Sequence, residues 1–252
     1  DWWAGHPKTI TVSNNVSAQE DTDDDDTDGH KPTALDGNFS FPIDLAHAPD
    51  SSIPAAITNL FYWNNRYHDI LYTLGFDDKA GNFQSNNFGL GGNGNDPVIA
   101  DAQDGSGTNN ANFYTPPDGT PGRMQRFNFT HSNPQRDGDL DQQVVIHEYT
   151  HGLSKRLIGN GTSLSGIQDG AMGEGWGDFM ALAVLSQPAD DMSGSYPIGG
   201  YVKNTFSAGI RRQPYSTNQN VFTRTYGDLC DYNFFGCFFS NEEHNDGEIW
   251  AN

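Results

Sequence analysis

Cysteine, basic side chains and long apolar runs are all scarce in this chain. Only two cysteines occur among 252 residues, Cys230 and Cys237. That excludes a multi-disulfide framework and a four-cysteine zinc site. It leaves one closable pair around Asp-Tyr-Asn-Phe-Phe-Gly, expected as a disulfide in an oxidising compartment. Lys and Arg number 13 against 33 Asp and Glu, a net charge of −20 at pH 7, which argues against nucleic acid or anionic membrane as partners. No apolar stretch approaches the roughly 20 residues of a membrane span. With 35% hydrophobic residues, 29 Gly and 13 Pro, much of the chain is expected as loop. Its length still suffices for a substantial core in one or two lobes.

What is present is more telling. The stretch from Asp139 to Ile158 contains His147-Glu-Tyr-Thr-His151 and reads as a helix. Apolar residues recur at 140, 144, 145, 153 and 157, Asp139 with Gln142 forms a candidate capping box, and Gly159-Asn160-Gly161 ends the run. Residues four apart share a helix face, so His147 and His151 can offer two imidazole nitrogens to one zinc ion. Glu148, one position round, lies beside the metal with a carboxylate suited to proton transfer.

A catalytic zinc usually takes three protein ligands. Glu174, in Gly173-Glu-Gly-Trp-Gly-Asp178, is the expected third. It falls in a second helical segment, Ala171 to Gln187, stopped by Pro188. Asp178 follows one turn later on the same face, where it can hold the second nitrogen of a ligating histidine. The five-residue motif alone matches by chance often. A helical frame and a downstream Glu-x-x-x-Asp make it far more specific.

The chain resembles the fungalysins, secreted thermolysin-like zinc metalloendopeptidases. The resemblance runs from about residue 55 onward. It is carried by Asn59-Leu-Phe-Tyr-Trp63, His68-Asp-Ile70, Ala80-Gly-Asn-Phe-Gln84, Thr115-Pro-Pro-Asp-Gly119, Arg136-Asp-Gly-Asp-Leu-Asp141, the HEYTH helix, Met172 to Phe179 and Gly209-Ile-Arg-Arg212. It implies an α+β zincin of thermolysin-like architecture. A β-rich N-terminal lobe over 1–138 is expected to precede a zinc-binding helical region over 139–252, with the C-terminal helical lobe truncated as a helix starts near Ala251-Asn252. The chain is therefore expected to be a fragment.

Further roles follow from the resemblance. His244, in Glu242-Glu-His-Asn-Asp-Gly-Glu-Ile-Trp250, is expected to stabilise the oxyanion. Arg211, with Arg212 as fallback, is expected to bind the carbonyl beyond the scissile bond. Asn110 and Ala111 are expected to open an edge strand that pairs with an extended substrate; a plain polar turn at Asn109-Asn110 is the alternative. Val144 and Ile210 would line a pocket for an apolar residue after the scissile bond. Protein or peptide substrates, an inhibitory propeptide in the precursor, a monomeric state and an extracellular location are also implied. One departure is that residues 152–173 contain no tyrosine, although thermolysin uses one between its second histidine and its glutamate ligand.

Elsewhere the sequence predicts strands at Thr9–Val12, Phe39–Ile43, Pro97–Ala100, Ala111–Tyr114 and Met124–Phe129. An aromatic-rich core helix is expected over Ile53–Leu74, with Gly75 at its C-cap. The run Asp21-Thr-Asp-Asp-Asp-Asp-Thr-Asp28-Gly29 reads as a solvated acidic loop. Its alternative is a Ca2+ site using Asp24, Asp26 and Asp28, although position twelve of an EF-hand would be Leu35. Sequons start at Asn15, Asn38, Asn128 and Asn160. Histidines 6, 30, 47, 68 and 131 lack ligand spacing and read as structural or exposed. Two other classes remain open: a catalytically silent zinc-containing fragment or binding module, and an acidic calcium module.

Overall fold

Apolar periodicity builds the longest helix. In a computed structural model that describes residues 9–229 and 242–252, helix α1 spans Ile53–Thr73. It buries Ala56, Ile57, Leu60, Phe61, Tyr67 and Leu71, positions that fall three or four apart and share a face. Each large side chain removed from water contributes about 1.5–3 kcal/mol. Leu74, expected in this stripe, is instead the C-cap residue and 70% exposed, because the helix has already ended.

Four short strands form a mixed sheet: β1 (Val16–Glu20), β2 (Val98–Ala102), β3 (Ala111–Tyr114) and β4 (Arg123–Arg126). Their spatial order is β1-β2-β4-β3, with β1-β2 and β2-β4 parallel and β3-β4 antiparallel. Helices packed on a mixed sheet make the fold α+β. Strand β3 ends the sheet, so one of its edges is left without a strand partner among the described residues, and Pro116-Pro117 follow it closely.

Several strand expectations shift. Thr9–Val12 forms only single bridges, Ile10 to Thr33 and Val12 to Ser17. The pairing strand is β1, whose polar Gln19 is buried and donates to Asp101 at 3.0 Å. Phe39–Ile43 is not a strand; Phe39 packs on Phe61 at 5.8 Å. The run expected over Met124–Phe129 divides at Phe127. Beyond it β5 (Asn128–Phe129) pairs with β6 (Arg136–Asp137) in a separate ribbon.

Helix α2 (Gln142–Leu157) carries the HEYTH residues. Its N-cap is Asp141, whose carboxylate accepts from Gln143 N at 3.1 Å. Asp139, expected as the cap, sits in the preceding 3-10 turn, fully buried, and accepts from Gln103 N at 3.0 Å. Burial and the neighbouring Asp137 carboxylate push Asp139 well above the usual carboxylate range.

Two contacts fix α2 over the sheet. Tyr149 meets Tyr67 and Phe83 edge-on, at 5.3 and 5.7 Å. Arg156, fully buried, donates to Asp96, Gly81 O, Pro116 O and Thr120 O while lying 4.2 Å over the Phe83 ring. The apolar cluster containing these rings runs from Val16 to Phe222, across the lobe boundary expected from the sequence at residue 138.

Helix α3 (Ile167–Leu185) starts one turn earlier than the segment expected from residue 171. Two of its glycines, Gly175 and Gly177, sit where neighbours come too close for a side chain. A Cβ at Gly177 would lie 2.5 Å from His147 Nδ1. The last helix, α4 (Glu243–Ala251), begins well before the chain end, where a helix was expected only to start. A Cβ on its Gly247 would lie 2.7 Å from Glu174 Cβ, so α3 and α4 pack backbone against backbone.

Candidate functional site

Helix periodicity puts His147 and His151 side by side on α2, their rings 4.8 Å apart and nearly perpendicular. Helix α3 crosses them and delivers Glu174. Its Oε2 lies 3.0 Å from His147 Nε2, and its Oε1 lies 3.4 Å from His151 Nε2. Ligand atoms of these three residues all fall within 4.8 Å of one another. Two imidazole nitrogens and one carboxylate, all shielded from solvent, are a donor set suited to zinc.

Asp178, one turn after Glu174, accepts from His147 Nδ1 at 2.8 Å. That bond leaves the Nε2 lone pair of neutral His147 for a metal. Asp178 also receives Arg211 Nε at 2.6 Å, Arg211 Nη2 at 2.9 Å and the Tyr215 hydroxyl at 2.5 Å. Burial opposes its charge, but Arg211 and His147 outweigh that and hold it well below the carboxylate range. Burial likewise disfavours the His147 imidazolium, yet Asp178 and Glu174 push its pKa up to about 10. His151 moves the other way, lowered chiefly by burial. Glu174 is held low mainly by His147, against the effect of its own burial.

Glu148 is 6% exposed and accepts no hydrogen bond from the described residues. Its carboxylate borders two cavities that meet at His147. One, about 300 Å³, is lined by Phe129, Val144, Ile198, Lys203, Ile210 and Arg211 among others. The other, about 250 Å³, reaches Phe113, His151, Lys155, Leu164 and Glu174. Asn110 and Ala111, at the start of the edge strand β3, border both. Asn109 before them has φ +59 and exchanges hydrogen bonds with Thr130, so a polar turn leads into the strand.

His244 comes from the first turn of α4. Its Nε2 lies 3.3 Å from Glu174 Oε2, while Nδ1 contacts Glu242. Arg212 anchors that helix: its backbone N–H donates to Glu248 Oε1 at 2.8 Å and its Nε to Oε2 at 3.1 Å. Adjacent arginines therefore tie α3, through Asp178, and α4, through Glu248. Arg211, expected to face substrate, has two nitrogens committed to Asp178 while it borders the larger cavity.

A profile of the fungalysin metallopeptidases, family M36, matches residues 2–252. The chain belongs to the fungalysin family. An "extracellular metalloproteinase mep" of Aspergillus terreus is 48% identical over 258 residues, covering 99% of this chain and 39% of the relative. Its namesake in Aspergillus flavus is 50% identical over 227 residues, 88% of this chain and 34% of that protein. "Extracellular metalloproteinase 2" of Trichophyton rubrum is 45% identical over 248 residues, 96% of this chain and 38% of that protein. The chain thus spans about two fifths of the length of these relatives.

Tyr215, Glu248 and Lys203 escaped the sequence reading, as did the tie of Arg212, expected only as a fallback for Arg211, to Glu248. They lie in irregular chain or, for Glu248, on a helix whose relation to α3 no periodicity reveals. The acidic run is solvent-facing from Thr22 to Asp28. Asp21, Asp26 and Asp101 gather within 4.8 Å, but Arg123 Nη1 bridges Asp26 and Asp101 at 2.9 and 2.6 Å. The protein itself supplies a cation there. Asp28 pairs with Lys31, and Leu35 is 85% exposed. Among the sequons, Asn15 is 1% exposed and Asn128 half-buried in β5, whereas Asn38 and Asn160 are exposed. Burial closes Asn15 to modification in the folded chain. Cys230, Cys237 and His6 lie outside the described residues. No described helix is long and apolar enough to cross a membrane.

Proposed function

We propose that this chain carries the catalytic centre of a secreted zinc endopeptidase of thermolysin-like architecture, acting on protein or peptide substrates. The observation that supports it most is the convergence of His147, His151 and Glu174 beside Glu148, which accepts no hydrogen bond among the described residues, at the junction of two cavities. The names of the relatives agree with this activity and with an extracellular location.

His147, His151 and Glu174 would hold the zinc, and Asp178 fixes the His147 tautomer. Zinc held there supplies Lewis acidity for carbonyl polarisation and water activation. Glu148 takes the proton of the attacking water on a carboxylate oxygen and returns it to the nitrogen of the departing amine. His244 donates from Nε2 to the developing oxyanion. Asn110 and Ala111 hold an extended substrate by main-chain pairing at the open edge of β3. Arg211 uses an N–H not committed to Asp178 on a substrate carbonyl, and Val144 with Ile210 forms the apolar wall beside the residue after the scissile bond. A secreted precursor would begin with an inhibitory propeptide. It would carry a Cys230–Cys237 disulfide and glycan on exposed Asn38.

Cleavage of an internally quenched peptide with an apolar residue after the scissile bond tests this reading. Turnover should disappear with 1,10-phenanthroline and return with added zinc. Silence of the folded, zinc-loaded chain would overturn it in favour of a metal-containing binding module.

A further inference from the structure

Among the described residues, the arginine and lysine side chains that line the larger cavity are paired with carboxylates except at one point. Arg211 is held by Asp178, Arg212 by Glu248, and His244 by Glu242 and Glu174. Lys203 lines the same cavity, half-buried, and has no carboxylate within 4.0 Å among the described residues. Acidic residues outnumber basic ones 33 to 13 in this chain, yet Lys203 borders the cleft without an acidic partner among the described residues, as does Lys155 on the smaller cavity. The walls beside it are Phe129, Val144, Ile198 and Ile210, the first three nearly fully buried. An apolar wall with a single unpaired ammonium suits a ligand with a short hydrocarbon stem and an anionic end.

We propose that Lys203 is a specificity-determining residue that attracts a substrate carboxylate to this side of the scissile bond. The carboxylate is either an acidic side chain at the first or second residue after the bond or the free C-terminus of a short substrate. The inference rests on the peptidase reading above. The apolar wall accommodates the stem, and the ammonium adds a charge term for which a neutral isostere has no counterpart. A partly exposed ion pair of this kind is worth about threefold to fivefold in kcat/KM, diminishing as salt screens it.

Quenched peptides with Leu, Gln or Glu at each of the two positions, and short peptides ending in a free acid or an amide, provide the test. At low salt the zinc-loaded protein should favour Glu over Gln, or acid over amide, by about that factor. Lys203→Met should erase the ratio by lowering turnover of the Glu and free-acid peptides, and Lys203→Glu should invert it. A ratio of one in the wild type, or a ratio unchanged in Lys203→Met, overturns the proposal. If no peptide is cleaved at all, the peptidase reading fails. Affinity of the zinc-loaded Glu148→Gln protein for the same peptides then judges Lys203 alone, and equal binding of Glu and Gln peptides overturns its role.

Discussion

Glu148 and Asp178 differ in what surrounds their carboxylates. Glu148 has no hydrogen-bond donor among the described residues, whereas Asp178 receives His147, Arg211 and Tyr215. A free carboxylate at a cleft can exchange protons; one held by three neighbours serves to orient them. Replacing Glu148 by Gln should therefore leave bound zinc unchanged and lower kcat by about 10²- to 10⁴-fold, as metal analysis with single-turnover kinetics would show. Asp178→Asn should act on metal affinity first, weakening it by about 10- to 100-fold. Competition with a chromogenic chelator measures that change directly. The HEYTH spacing made His147, Glu148 and His151 legible, because a helix fixes which residues are neighbours. The Glu-x-x-x-Asp spacing did the same for Glu174 and Asp178. Nothing in the sequence pointed to Tyr215, whose hydroxyl arrives from irregular chain, or to the use of Arg211 on Asp178.

At the level of elements, helix α1 and strand β3 were readable, whereas strand β1 and the start of helix α4 were not. Helix α1 advertises itself over five turns, and its observed span departs from expectation by one residue. Strand β1 is small and polar, and it is held by pairing with β2, a contact that local composition does not encode. The cap of α2 moved from Asp139 to Asp141 because Asp139 is taken up by the buried turn beneath it. Helix α3 exceeded its expected start since its glycines, poor helix formers alone, are compensated by close packing. Gly177→Ala tests that compensation. The added methyl would meet His147 Nδ1 at 2.5 Å and two ring carbons at 2.8 Å. It should cost about 1–3 kcal/mol and loosen the metal site together with the fold. Thermal unfolding and zinc content, measured on one preparation, should fall in parallel.

For the molecule as a whole, acidity is spread unevenly between surface and interior. Asp137, Asp139 and Asp141 are buried together near the start of α2, beside the fully buried Arg126. The folded pKa of Asp139 is raised well above its unfolded value, first by burial and then by Asp137. The folded state then binds this proton more tightly than the unfolded chain does. Its contribution is complete below the unfolded carboxylate value near 3.9 and declines as pH rises toward the folded pKa. Asp139→Asn should therefore flatten the fall of Tm as pH rises above the unfolded carboxylate value, and an identical slope in the variant would place that dependence on other groups. A formal charge of −20 was visible from composition, but which acids are buried was not.

The open side of β3 also bears on how the protein behaves when concentrated. An edge with free main-chain groups accepts any extended strand, including that of a second molecule, and long flat edges of this kind seed aggregation. Here the edge is four residues long, begins after a left-handed Asn109 and is closed off by Pro116-Pro117. On the proposed reading it would grip a short passing peptide, and its brevity predicts little sheet growth between copies.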